Sequence, residues 1–175
     1  MTAFVALLRA VNVGGTGKLA MSDLKALCEA AGFTAVRTFI ASGNVVFESG
    51  LSEAKVKAAL EAGLEAHAGR PVGVVVRTGA QMAAVLAANP FPDAPPNRTV
   101  ATFLNAPPPA DALAGVAGRK DEEVRLGVRE IYVSYGSGMA QSKLKIPAAK
   151  AGTARNLNTV AALAKMAGVP IADLT

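Results

Sequence analysis

The stretch that first invites a chemical reading is RAVNVGGTGKLAM, residues 9–21. Gly14, Gly15 and Gly17 lead into Lys18 ahead of a helix-like segment. Glycines permit backbone conformations that aim several N–H groups inward, and a lysine adds charge, so such a loop can cradle an anion. The specific nucleotide motifs fail. A Walker loop needs Gly, four residues, then Gly-Lys-Ser/Thr. Here Asn12 replaces the first glycine and Leu19 the hydroxyl. GTGKLA fits a relaxed G-x-G-x-x-A, but Ser22 is expected to cap the helix after the motif, and no acid closes the next strand near Ser42. What survives is a general anion nest, weighed against a plain strand-to-helix turn.

Two more segments carry polar groups in suggestive order. Ser42-Gly43-Asn44 reads as a tight turn in which glycine tolerates positive φ and Asn bonds locally; its bland reading is an ordinary hairpin. TARNLNT, Thr153–Thr159, reads as a helix start. Thr153 as cap places Arg155 and Asn156 in the first turn, followed by Asn158 and Thr159, where unsatisfied backbone donors favour an anion. Arginine there opposes the helix dipole unless a negative group stands between them. The alternative pairs Arg155 with one of the chain's own carboxylates and leaves the asparagines as caps. On this reading, Arg155→Ala weakens binding with little change in folding.

For catalysis the sequence offers little. Cys28 is the one cysteine and His67 the one histidine, which excludes an intrachain disulfide and argues against a Cys/His zinc site. Cys28 shares a helical face with Leu24, Leu27 and Ala31 and is expected in the core; His67, near Gly69, is expected at a helix C-terminus. GSGMAQS departs from G-x-S-x-G. No cofactor is implied, and no catalytic constellation is identified. Arg9 and Arg37, alternating with Val5, Leu7 and Phe39, could share a sheet face of the kind that binds single-stranded RNA, but Trp is absent and Phe47 reads as core.

The formal net charge of +5 is uneven: residues 131–172 hold no acid but carry Lys143, Lys145, Lys150, Arg155 and Lys165. Such asymmetry points to an anionic small molecule or, as the second reading, a nucleic acid, against the bland reading of a solvated face. A ligand-free interaction module is the third reading. No apolar run is long enough to span a membrane, and no leader pattern precedes the first strand, so a cytoplasmic protein is expected.

These residues need elements to hold them. The patterns predict a strand over 2–12, a helix over 21–32, strands at 34–42 and 44–49, a helix over 52–68, a strand at 71–78 and a short helix at 79–88. That order is βαββαβ, with an antiparallel sheet. A proline-rich connector, 89–97, separates residues 1–88 from a second α+β half, 98–175. There the strand RTVATFL, a proline-started helix PPPADALAGVAG, two strands around Gly127, a loop from 136 to 153 and a final helix ARNLNTVAALAKMAG are expected.

LLRAVNVGGTGKLAMSDLKALCEAAGF, VRTFIASGNVVF, NPFP, SKL and ARNLNTV, in this order and spacing, resemble the bacterial family known as domain of unknown function 1697. The resemblance runs from Phe4 to about Ala167. It implies an α+β fold of two ferredoxin-like subdomains and no established activity. Arg9, Asn12, Gly14, Gly15, Ser42, Gly43, Asn44, Ser142, Arg155, Asn156, Asn158 and Thr159 fall on the family's characteristic polar positions. With the neighbouring Lys18 and Lys143 they are the candidate ligand-binding residues. The chain departs at Ala10, where the family usually has Gly, and at Leu157, where it often has Trp; Leu157 is expected to pack.

Overall fold

The computed structural model describes residues 1–10, 18–40, 42–136 and 138–171. The chain divides into two units, Met1–Met82 with Leu163–Pro170, and Ala83–Ala162 with Ile171–Thr175.

The first unit follows the expected order: β1 (Thr2–Leu8), α1 (Met21–Ala30), β2 (Thr34–Phe39), β3 (Asn44–Ser49), α2 (Glu53–Ala68), β4 (Val74–Thr78) and the start of α3 (Gly79–Ala87). Its sheet is antiparallel throughout, in the order β2-β3-β1-β4, the ferredoxin-like arrangement. β1 is an almost unbroken apolar run because both of its faces are buried. One face, with Phe4, Ala6 and Leu8, meets Leu24 and Cys28 of α1 and Val56, Leu60 and Leu64 of α2. Phe33 stacks on Phe47 at 4.3 Å between ring centres. The other face carries Val5, Leu7 and Val75, all buried, so it is not the open RNA platform that Arg9 and Arg37 suggested.

Helix ends follow local chemistry, with one exception. Ser52 Oγ accepts from the Lys55 amide to start α2, and Gly69 closes it at φ +73°. Ser22 is not the cap of α1. The helix begins at Met21 behind Ala20, which makes no side-chain cap bond, and Ser22 stands exposed in the first turn. The Asp23 and Leu24 amides donate to the Ala20 carbonyl instead.

Burial pushes the Cys28 thiol up to about 12, with Glu29 adding a smaller push. We expect Cys28 in the native protein to resist a thiol reagent at pH 8 and to react only after denaturant unfolds the chain. Above about pH 8.5, where the unfolded thiol ionises and the buried one does not, stability falls with rising pH. A thiol titration against denaturant concentration checks both statements.

The second unit contains β5 (Thr99–Phe103), β6 (Glu123–Leu126), β7 (Glu130–Ser134), β8 (Thr153–Asn156) and the start of α4 (Leu157–Met166). Its sheet is again antiparallel, in the equivalent order β6-β7-β5-β8. Among the described residues, neither connection, β5 to β6 or β7 to β8, holds an α-helix. The expected proline-started helix contracts to a 3₁₀ turn, Ala112–Gly115, and a second 3₁₀ turn, Pro147–Ala149, stands where α2 stands in the first unit. The turn stops at Gly115: Val116 is already extended and Ala117 pairs with Lys145 instead of continuing a helix. The inner face, Val124, Ile131 and Val133, is covered by loop side chains from Leu144 to Ala149.

TARN is also a correction. It forms strand β8 rather than the first turn of the last helix, because Arg155 pairs opposite Ala101 and the alternation of buried Thr153 and Arg155 with exposed Ala154 has the period of a strand. Thr153 therefore caps nothing. The cap of α4 is Asn156, whose Oδ1 accepts from the Thr159 amide at 2.9 Å.

Candidate functional site

In each sheet, one cross-strand row ends in an arginine at both edges. In the first unit it runs Arg77–Val5–Val46–Arg37, and in the second Arg155–Ala101–Tyr132–Arg125. The local bonding repeats too. Arg77 donates to the carbonyl of Val76 at 3.1 Å, and Arg155 to that of Ala154 at 2.9 Å. The next residue caps the next helix in both: Thr78 Oγ1 accepts from the Gln81 amide at 3.1 Å, as Asn156 accepts from Thr159. Arg155 is 9% exposed and also donates to Thr153 Oγ1 at 2.7 Å. Burial lowers its pKa to about 10, which still leaves it charged at neutral pH. An arrangement built twice in one chain has a structural reading: an edge arginine folded back on its own strand, followed by a cap. Arg37 is likewise engaged, donating to the carbonyl of Met166 at the end of α4, a favourable place for a cation.

The remaining candidates fall into two groups. At one end of the first unit, the chain leaving β1 is tied to both neighbouring turns: the Leu8 amide donates to Gly43 at 2.8 Å and the Arg9 amide to Gly73 at 2.9 Å. Gly43 takes φ +86°. Asn44 is fully buried, and its Nδ2 donates to the Phe39 carbonyl and to Ser42 Oγ, both at 3.0 Å, so the Ser-Gly-Asn turn is set by its own polar groups. Ala10 follows at φ +56°, a left-handed conformation that explains why glycine suits this position. Beside this end lies a cleft of about 310 Å³ with a floor of Leu19, Leu64 and Val72 and a rim of Lys18, His67 and Arg70. His67 Nε2 lies 3.9 Å from Asp23. His67 and Arg70 were missed as candidates because nothing in sequence marks residues 67–70 as neighbours of Lys18. Asn12, Gly14 and Gly15 lie outside the described residues.

In the second unit, Ser142 and Lys143 line a groove of about 690 Å³ together with Lys120, Asp121, Glu122 and Gln141. Glu122 is 3% exposed and fastens the wall: Ser142 Oγ donates to its Oε2 at 2.7 Å and the Lys120 amide to its Oε1 at 2.6 Å. These bonds, that from Ser142 first, hold its carboxyl below the usual glutamate range. A lowered pKa means that the tether is present at neutral pH and is lost as pH falls through and below about 4. This groove flanks the approach to β6, at the opposite sheet edge from β8. Ser142 and Lys143 are thus not gathered with Arg155 and Asn156; three strand spacings, about 14 Å, separate the two edges. Asn158 is exposed on α4, and Leu157, 1% exposed, packs as expected. Among the described residues no three His, Cys, Asp or Glu side chains form a metal-ligating group, and no helix is long and apolar enough to cross a membrane.

Two antiparallel four-stranded sheets of equivalent order, with four α-helices among the described residues, define an α+β protein with two ferredoxin-like sheets. The chain belongs to the DUF1697 family of proteins of unknown function, whose sequence model matches residues 1–132. It is similar in structure to the conserved bacterial protein SP0830 from Streptococcus pneumoniae, with a TM-score of 0.79 at 25% identity over 95% of this chain and 98% of that one. No curated protein matches it.

Proposed function

We propose that the protein binds an anionic small molecule, a nucleotide or a phosphorylated metabolite, at the end of the first unit where β1 runs out. The observation that carries this reading is the cleft in which Lys18, His67 and Arg70 rim an apolar floor. Arg9 stands beside it, its side chain laid over Gly73, where an added Cβ would lie 3.5 Å away. Lysine and arginine at such a rim supply charge-assisted hydrogen bonds to phosphate, and Leu19, Leu64 and Val72 offer an apolar surface to the rest of the ligand. The cleft volume lies at the small end of ligand sites. Gly14 and Gly15 stand in sequence between Arg9 and Lys18 and join the proposal as backbone donors.

The test is a thermal-shift panel of nucleotides and phosphorylated metabolites, followed by calorimetric titration of any compound that raises the melting temperature. Lys18→Ala and Arg70→Ala should each weaken binding about tenfold, the equivalent of one charge-assisted bond, while melting as the parent does. A panel without hits, or a double variant that binds as tightly as the parent, refutes the reading. Exposed Lys143, Lys145, Lys150 and Lys165 in an acid-free stretch favour a second reading, nucleic-acid binding. Its mark is affinity for labelled RNA or DNA that falls steeply between two salt concentrations and is indifferent to Arg70→Ala.

A further inference from the structure

The groove of the second unit differs from the basic cleft in the balance of its charges. Lys120 and Lys143 face it with Asp121 and Glu122, so its lining is neutral overall. Glu122 has both carboxylate oxygens engaged by Lys120 N–H and Ser142 Oγ, and it serves the wall. Lys120, Asp121, Gln141 and Lys143 are all exposed. Among the described residues their side chains make no hydrogen bond or ion pair. Two ammonium groups and a carboxylate thus share one concavity without neutralising one another.

The backbone around them is fixed. Ala117 and Lys145 exchange two amide bonds, of 2.9 and 2.8 Å. Arg119 Nε donates to the Glu122 carbonyl at 2.6 Å, and the Leu144 amide to Ser142 Oγ at 3.2 Å. Gly136 leaves the space that Asp121 uses; a Cβ there would come within 3.0 Å of Asp121 Oδ2. A groove of this size, its wall tied by these bonds and carrying separated charges of both signs, confines the ordering cost of taking a ligand to the exposed side chains.

We propose that this groove is a binding site for a zwitterion, a free amino acid or the end of a short peptide, with Lys143 and Lys120 holding the carboxylate, Asp121 the ammonium and Gln141 an amide or polar side chain. A dianionic phosphate is the poorer match, because Asp121 and Glu122 oppose it as strongly as the lysines attract it. Ser142 is a positioning residue, acting through Glu122.

The probes are the free amino acids and the dipeptide Gly-Gly, titrated calorimetrically into the full chain, with acetate, methylammonium and inorganic phosphate as controls. A zwitterion should bind at least about tenfold more tightly than either single-charge control. Lys143→Gln and Asp121→Asn, both surface changes that leave the melting temperature unaltered, should each weaken it about tenfold. Arg70→Ala should leave it unchanged, which separates this site from the anion cleft. The proposal is overturned if no zwitterion binds, if both variants bind as the parent does, or if phosphate displaces the zwitterion at equal concentration.

Discussion

Gly118→Ala should lower the melting temperature by roughly 10 °C and open the segment 138–146 to proteolysis. Two costs coincide at this position. The backbone sits at φ +70°, where a side chain adds strain of about 1–3 kcal/mol. An added Cβ would also stand 2.0 Å from the carbonyl oxygen of Lys143, and that oxygen belongs to backbone. Relief requires moving the peptide between Lys143 and Leu144, next to the Ala117–Lys145 bridge and the Ser142–Glu122 bond. Overpacking of this kind adds about 1–3 kcal/mol, and each kcal/mol lowers the melting point of a chain this long by about 2–4 °C. Gly69→Ala is the control. Its φ is +73° but no atom lies within 4 Å of the added Cβ, so it should show the strain alone. Calorimetric melting of both variants, with limited proteolysis of the first, decides the matter. Equal losses would mean that the 118–143 contact is not what holds the groove wall.

The contrast between the two units explains how much could be read in advance. In the first unit, apolar spacing is strong and its punctuation conventional. Leu24 and Cys28, then Val56, Leu60 and Leu64, fall at helical intervals, and Gly43 takes the positive φ expected of its turn, as Gly32 and Gly69 do behind the two helices. In the second unit the same sheet is built with little sequence likeness, and its inner face is covered by Leu144, Ile146, Ala148 and Ala149 from a loop that has no periodicity to read. A helix propensity in ADALAG was real but short, and the pairing of Ala117 with Lys145 won. The mistake at TARN has a different origin. Thr, Arg and Asn before an apolar helical stripe resemble a cap, and only the pairing of Arg155 with Ala101 reveals a strand. Long-range pairing is the information that a local pattern lacks. The clustering of Lys18 with His67 and Arg70 was hidden for the same reason, since about fifty residues separate the segments that the fold brings to one cleft.

That correction at TARN reverses an expectation about Arg155. A solvent-facing arginine in a helix's first turn could be removed with little effect on folding. An arginine that is 9% exposed, its guanidinium folded against its own strand and bonded to Thr153 Oγ1 and the Ala154 carbonyl, cannot. Arg155→Ala should cost about 2–4 kcal/mol, chiefly through lost packing of the aliphatic stem and the hydrogen-bonding groups left behind. At the length of this chain that is a fall in melting temperature of roughly 5–15 °C. Arg155→Lys keeps the charge without the planar fork and should fall between alanine and the parent. Arg125→Ala removes the arginine at the other end of the same row, which is exposed, reaches the Val124 carbonyl at 2.9 Å and lies 5.7 Å over the Phe91 ring, and should cost less than Arg155→Ala, about 1 kcal/mol. Denaturant unfolding of the three variants separates the possibilities. If Arg155→Ala melts with the parent, its burial carries no stability, and the anion-binding role first suggested by its sequence context becomes the better account of its presence.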